Sequence, residues 1–77
     1  SDDGKIRFGA TVTLTNTQTG KKATYTLVGS AEVDAVNGKI SMDSPMGKEL
    51  MFKEAGNTIV VQSPRGAIEF LVEEIRY

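Results

Sequence analysis

Cysteine, histidine and tryptophan are all missing from this 77-residue chain. Without cysteine, the chain can form no disulfide and offers no thiolate ligand, which is typical of a reducing compartment and predicts a cytoplasmic location. Without histidine, it lacks the commonest general base and the commonest metal ligand, so most hydrolase templates fail. No apolar stretch reaches the roughly 20 residues that a membrane-spanning helix needs, so no membrane association is predicted.

Neither sign of charge dominates the chain. Nine lysine and arginine residues stand against ten aspartate and glutamate residues, giving a formal net charge of −1. These charges are scattered along the chain and form no cationic stripe of the kind that binds nucleic acid by displacing counterions. Direct sequence-specific binding of nucleic acid is therefore not predicted.

The polar residues that are present do not form a recognisable catalytic centre. The serines have no histidine base, and the adjacent Glu73 and Glu74 point to opposite faces of a regular strand, so they cannot converge on one ion. Asp2 and Asp3 lie in a terminal segment that is expected to be solvated. We therefore predict a protein that is not an enzyme, with no catalytic residue, no metal site and no cofactor.

The length of the chain allows one core and is too short for two. Residues 1–4 are polar and lead directly into a strand pattern, which indicates the end of a linker. Residues 5–77 contain no low-complexity run and no internal repeat, so we interpret them as one globular domain and predict a monomer.

Alternating apolar and polar residues predict a sheet of about five strands. The polar segment 16–20 and the turn Ser63-Pro64-Arg65-Gly66 connect neighbouring strands, whereas residues 30–38 have no clear period and are interpreted as a surface excursion. The strands are expected at residues 6–15, 22–28, 39–42 and 58–62, and in a last strand after Gly66. With one short helix packed on this antiparallel sheet, the fold class is α+β.

The helix is expected to begin at Pro45 and to run to about Lys53. Ser44 can accept a hydrogen bond from an early helical N–H, and proline suits the first helical position because its missing donor would be unpaired there. Gly47 weakens such a helix by about 1 kcal/mol relative to alanine, so tertiary packing must stabilise it. Taken alone, Asp43, Ser44 and Pro45 need do nothing more than start this helix.

Four blocks of sequence, taken together, resemble the C-terminal domain of the bacterial Gre transcription elongation factors. Their order and spacing agree with the family from about Gly4 to Tyr77. The blocks are residues 7–14 (RFGATVTL), 25–29 (YTLVG), 38–46 (GKISMDSPM) and 75–77 (IRY).

The resemblance implies a globular domain of FKBP-like fold that grips the rim of the secondary channel of bacterial RNA polymerase. In this family an N-terminal coiled coil with acidic residues at its tip helps hold Mg²⁺ for cleavage of backtracked RNA, and the present chain contains no such coiled coil. The segment matching Asp43, Ser44, Pro45 and Met46 lies on the face that meets the rim, with Lys48 as a flanking contact. The resemblance thus implies a docking role and partner-binding residues at these five positions.

The chain departs from the family pattern at some positions, and two other functions are also consistent with its sequence. Gly47 and Lys48 stand where the family usually has a small residue followed by arginine, and lysine binds carboxylates less directionally. Phe52 stands where a small residue is common. The alternatives are a Gre-related regulator of the polymerase without cleavage activity and an FKBP-type prolyl isomerase, although the chain has few aromatic residues to line a prolyl pocket.

Overall fold

The protein is described by a computed structural model that covers residues 3–77. Ser1 and Asp2, which belong to the predicted linker end, lie outside the described residues. No helix within residues 3–77 has the length and apolar character needed to cross a bilayer. The strands are β1 (Thr11–Asn16), β2 (Lys22–Val28), β3 (Lys39–Ser41), β4 (Thr58–Ser63) and β5 (Gly66–Arg76), and the single α-helix among the described residues is α1 (Pro45–Leu50).

The five strands form one sheet in the order β3-β2-β1-β5-β4, which confirms the predicted α+β class. One pairing departs from the predicted antiparallel sheet, because β3 runs parallel to β2, with Leu27 opposite Ile40. The segment between these strands contains two short 3-10 helices, Ser30–Glu32 and Ala35–Asn37. This excursion returns the chain to the level of Thr26, so β3 runs in the same direction as β2 beside its last three residues, and the sheet is mixed.

The predicted first strand is wrong over its first half, because β1 begins at Thr11 and not at Ile6. Gly9 has a φ of +87°, which breaks an extended strand. Before that turn, the Ile6 N–H donates to the carbonyl of Lys53 at 2.8 Å, and the Phe52 N–H donates to the carbonyl of Ile6 at 2.8 Å. The first half of the alternating pattern therefore crosses the end of α1 and still places Ile6 in the core.

The same bonds explain why α1 ends at Leu50 and not at the predicted Lys53. The Met51 N–H makes the last helical bond, to the Gly47 carbonyl at 3.1 Å, and the next N–H is taken by Ile6. Phe52 then adopts a φ of 67°, the only positive φ of a non-glycine residue in the described chain. A competing tertiary hydrogen bond thus ends the helix a turn early.

β5 is an interior strand, paired with β1 on one side and with β4 on the other. A register shift opposite Thr13 and Leu14 leaves Glu73 as an extra residue in β5. This bulge returns Ile75 to the same face as Val72, and Ile75 packs against the core. The place of Ile75 on the core face therefore depends on this bulge, while Leu71 on the opposite face is half-buried.

One face of the sheet is covered by α1 and the N-terminal segment, and the core lies between them. α1 contributes Leu50, which is fully buried, and Met46, which packs against the buried cluster. The opposite face is rich in threonine and half-buried or exposed. The buried apolar residues are Ile6, Ala10, Val12, Leu14, Leu27, Leu50, Ile59 and Val72.

Candidate functional site

The start of α1 is fixed by local hydrogen bonds that the sequence predicted. The Ser44 hydroxyl accepts from the Gly47 N–H at 3.0 Å and donates to the Ser41 carbonyl at 2.7 Å. Pro45 occupies the first helical position, where a missing N–H costs nothing. The predicted capping role of Ser44 is confirmed. Because both functions of its hydroxyl are used within the chain, Ser44 acts as a support for its neighbours.

Asp43 is presented to solvent by the turn that precedes the helix. Its N–H donates to the Ser41 hydroxyl at 2.9 Å, and the Ser44 N–H donates to the Ser41 carbonyl at 3.1 Å. These bonds fix the backbone on both sides of Asp43, while its side chain is exposed and forms no ion pair with any described residue. The backbone at Asp43 is therefore fixed, and its exposed carboxylate has its hydrogen-bonding capacity free for a partner.

Gly47 allows the helix to approach the preceding turn closely. A Cβ built at this position would overlap the Ser41 carbonyl oxygen and would lie 3.0 Å from both the Met42 Cα and the Ser44 Oγ. Only glycine fits this contact without a backbone movement. The residue that weakens the helix by propensity is the one that lets it pack against β3.

The five predicted partner-binding residues do not form a single exposed patch. Asp43, Pro45 and Lys48 are exposed, whereas Ser44 and Met46 are half-buried. Met46 packs against the core, so its side chain serves mainly to anchor the helix. The structure thus brings three of the five side chains to the surface and gives the other two structural roles.

The three exposed side chains line a groove of about 320 Å³ between the start of α1 and strand β4. We call this feature the α1–β4 groove and define it by its seven lining residues. Both apolar and charged groups contribute to its walls. They are Asp43, Pro45, Lys48, Glu49, Val60, Val61 and Gln62.

Four of these residues were missed by sequence reasoning: Glu49 and the three from β4. Residues 58–62 predicted a strand, and nothing in them specified that β4 would lie at the edge of the sheet beside α1. One weak sign of an exposed apolar surface was Val60, which follows the buried Ile59 directly and therefore points to the other face of the strand. The Val60 side chain is 44% exposed, whereas the neighbouring Ile59 is 3% exposed.

The adjacent carboxylates of β5, Glu73 and Glu74, contact different partners and do not form a shared metal or catalytic site. Glu73 accepts a hydrogen bond from the Thr15 hydroxyl at 2.8 Å and lies 3.5 Å from Lys22, and these contacts lower its pKa. Glu74 lies 3.9 Å from Arg76 instead. Among residues 3–77, no group of three or more acidic side chains is arranged to hold a metal ion.

Comparison with known proteins identifies the family. The family model described as "Transcription elongation factor, GreA/GreB, C-term" matches residues 1–77. The chain is 46% identical over 76 residues to transcription elongation factor GreA of Syntrophobacter fumaroxidans, covering 99% of this chain and 49% of that protein. It is 40% identical over 74 residues to GreA of Pseudomonas putida, covering 96% and 46% respectively. The chain thus spans about half the length of the curated relatives it matches.

Solved structures agree with this match at the level of the fold. The crystal structure of Thermus aquaticus Gfh1 aligns with a TM-score of 0.89 at 32% identity, over 100% of this chain and 52% of that chain. The GreA/GreB elongation factor of Nitrosomonas europaea aligns with a TM-score of 0.82 at 26% identity, over 94% and 60% respectively. The mixed five-stranded sheet with one short helix is therefore shared with these proteins. The chain belongs to the GreA/GreB family of transcription elongation factors and corresponds to its C-terminal domain.

Proposed function

We propose that this domain docks its parent protein on bacterial RNA polymerase, at the rim of the secondary channel, through the α1–β4 groove. The observation that carries the proposal is that Asp43, Pro45 and Lys48 line one groove together with an exposed strand. Family membership supplies the partner class, since the relatives are transcription elongation factors. Docking by this domain would place a separate part of the parent protein where it stimulates cleavage of backtracked transcripts.

The groove has the composition of a small protein-binding site. Pro45 presents a rigid apolar surface, and Val60 adds an exposed apolar side chain on the opposite wall. Charged side chains surround this apolar centre, as is usual for the rim of an interface. Because such a small groove buries limited area, the domain alone is expected to bind weakly and to gain affinity from the rest of the parent chain.

A Gre-related regulator without cleavage activity would use the same groove, so this second candidate differs only in the parent protein. It is supported by the structural likeness to Gfh1, whose fuller name is GreA factor homolog 1. A full-length parent with acidic residues at the tip of a coiled coil would support cleavage. A parent without them would support the regulator.

Prolyl isomerase activity is the least supported candidate. Pockets that hold a proline ring are lined mainly by apolar and aromatic side chains. None of the five aromatic residues of the chain lines the α1–β4 groove. A peptide isomerisation assay that showed catalysis above the uncatalysed rate would revive this candidate, and we expect none.

Binding of the 77-residue domain to bacterial RNA polymerase tests the docking proposal. We expect Asp43→Ala and Pro45→Ala each to weaken binding by about tenfold, as loss of a well-packed interface contact costs more than 1 kcal/mol. Glu32→Ala and Pro64→Ala are matched controls, since both positions are exposed and lie outside the groove. Absence of binding by the wild type, or undiminished binding by both groove variants, would show that the proposal is wrong.

A further inference from the structure

Three consecutive residues of β4 line the α1–β4 groove, which identifies the surface that the strand presents. Side chains alternate between the two faces of a sheet, so Val60, Val61 and Gln62 can reach one groove together only along the edge of the strand. β4 lies at the edge of the sheet, and β5 is its one partner strand within residues 3–77. The edge of β4 therefore forms one wall of the groove.

The hydrogen bonds of β5 show which backbone groups of β4 face the groove. The Val72 N–H donates to the Asn57 carbonyl at 2.8 Å, so the backbone N–H and C=O of Val72 point toward β4. The Glu69 carbonyl accepts from the Thr17 N–H at 3.1 Å, so the backbone N–H and C=O of Glu69 point away from β4. Val60 is opposite Glu69 and, by the alternation of antiparallel pairs, turns its own N–H and C=O outward.

The same alternation applies to Gln62, two residues further along the strand. No hydrogen bond within the described chain uses the backbone N–H or C=O of either residue outside the β4–β5 ladder. The outward edge of β4 therefore offers two backbone carbonyls as acceptors and two backbone N–H groups as donors. Asp43 and Glu49 add two carboxylates, and neither forms an ion pair with a described residue. Lys48 is the one cationic side chain among the seven lining residues.

We propose that the α1–β4 groove receives a basic side chain of the polymerase, with its methylene stem on Pro45 and Val60 and its charged end on the acceptors. This inference rests on the proposed function and specifies the chemistry of the partner. A lysine or arginine side chain combines an apolar stem with a cationic end, which matches an apolar centre surrounded by acceptors. Arginine fits better, because its planar group donates in several directions at once to carboxylates and carbonyls.

Lys48 has a different role if the groove holds a basic side chain. A lysine that bound an acidic group of the partner would strengthen docking, whereas a lysine beside an incoming cation repels it. Its position on α1, next to Glu49 and within the same groove, places it close to the proposed cation. The two roles predict opposite effects when the charge of Lys48 is removed, so a single substitution distinguishes them.

The test measures the dissociation constant of the 77-residue domain and RNA polymerase for three isosteric or near-isosteric variants. Glu49→Gln should weaken binding by about two- to fivefold, as expected for loss of a partly exposed ion pair. Lys48→Gln should tighten binding by about two- to fivefold, because it removes a positive charge that repels the basic side chain. Glu54→Gln is the control, because Glu54 is an exposed glutamate outside the groove whose loss changes net charge equally. All effects should shrink as salt is added.

Each outcome has a defined meaning. Weaker binding for Glu49→Gln with tighter binding for Lys48→Gln, beside an unchanged control, supports a basic occupant. If Glu49→Gln binds as the wild type does, or if Lys48→Gln binds more weakly, the basic occupant is overturned, and docking through the groove stands on the Asp43 and Pro45 variants. If the wild type does not bind the polymerase, the proposed function itself is wrong.

Discussion

Replacing Gly47 with alanine should destabilise the domain, although the same change stabilises most helices. Alanine in a helix interior is favoured over glycine by about 1 kcal/mol. Here the new Cβ would overlap the Ser41 carbonyl oxygen and crowd the Met42 Cα and the Ser44 Oγ. Two of these three contacts are with backbone atoms, so the clash cannot be relieved by rotating a flexible side chain.

The expected size of the effect follows from two costs that oppose the gain in helix propensity. Forcing extra volume into a packed site typically costs about 1–3 kcal/mol. Displacing Ser44 also weakens its bond to the Gly47 N–H, and loss of such a cap costs about 1 kcal/mol. After the propensity gain, a net loss of about 1–3 kcal/mol remains. For a domain of this size, that loss lowers the melting temperature by about 5–20 °C.

Thermal and urea denaturation followed by far-UV circular dichroism measure this change. Lys48→Ala, at the next position of the same helix, is the control, because its exposed side chain meets no such constraint and should change stability by less than about 0.5 kcal/mol. Ser44→Ala removes the cap together with the hydroxyl's bond to the Ser41 carbonyl and should cost about 1–2 kcal/mol. A Gly47→Ala protein at least as stable as the wild type would refute the close-approach account of this glycine.

Two further predictions concern the N-terminal segment and the end of α1. Phe52→Gly should be more stable than Phe52→Ala by about 1 kcal/mol, the reverse of the usual order, because both lose the contact of the ring with Arg7 at 5.1 Å and only glycine relieves the positive φ. Equal stability, or a more stable alanine variant, would contradict this. The side-chain hydrogen bond from Arg7, aided by the Lys5 N–H, lowers the pKa of Asp3 from 3.8 to about 2. A lowered pKa in the folded state stabilises the fold above the unfolded value of 3.8, and this contribution is lost as the pH falls toward 2. NMR titration should show this pKa, and Arg7→Gln should return it toward 3.8.

Local signals predicted the parts of the fold that depend on neighbouring residues. The bounds of β2 follow from alternation, since residues 22–28 are the strand in the structure. The start of α1 follows from Ser44 and Pro45, whose hydrogen bonds and conformation act within a few residues. In these places the physical cause is short-range, and it is therefore visible in the sequence.

Where the prediction failed, a distant partner decided the structure. Ile6 lies in an alternating pattern, yet its N–H and C=O bond to Lys53 and Phe52 and not to a neighbouring strand. In β5, the apolar spacing between Val72 and Ile75 requires a bulge at Glu73, whose position is set by the register with β1. Alternation specifies which side chains are buried and does not specify which strand supplies the hydrogen bonds.

The same distinction explains why only half of the candidate site could be predicted. The wall formed by Asp43, Pro45 and Lys48 arises from a helix start, whereas the wall formed by Val60 and Gln62 exists only because the sheet order leaves β4 at an edge beside α1. A mutational survey restricted to the helix start would therefore measure one wall and assign all of the binding to it. Substitutions in β4 should change binding to the polymerase as strongly as those in α1, because a side chain held in the groove contacts both walls at once.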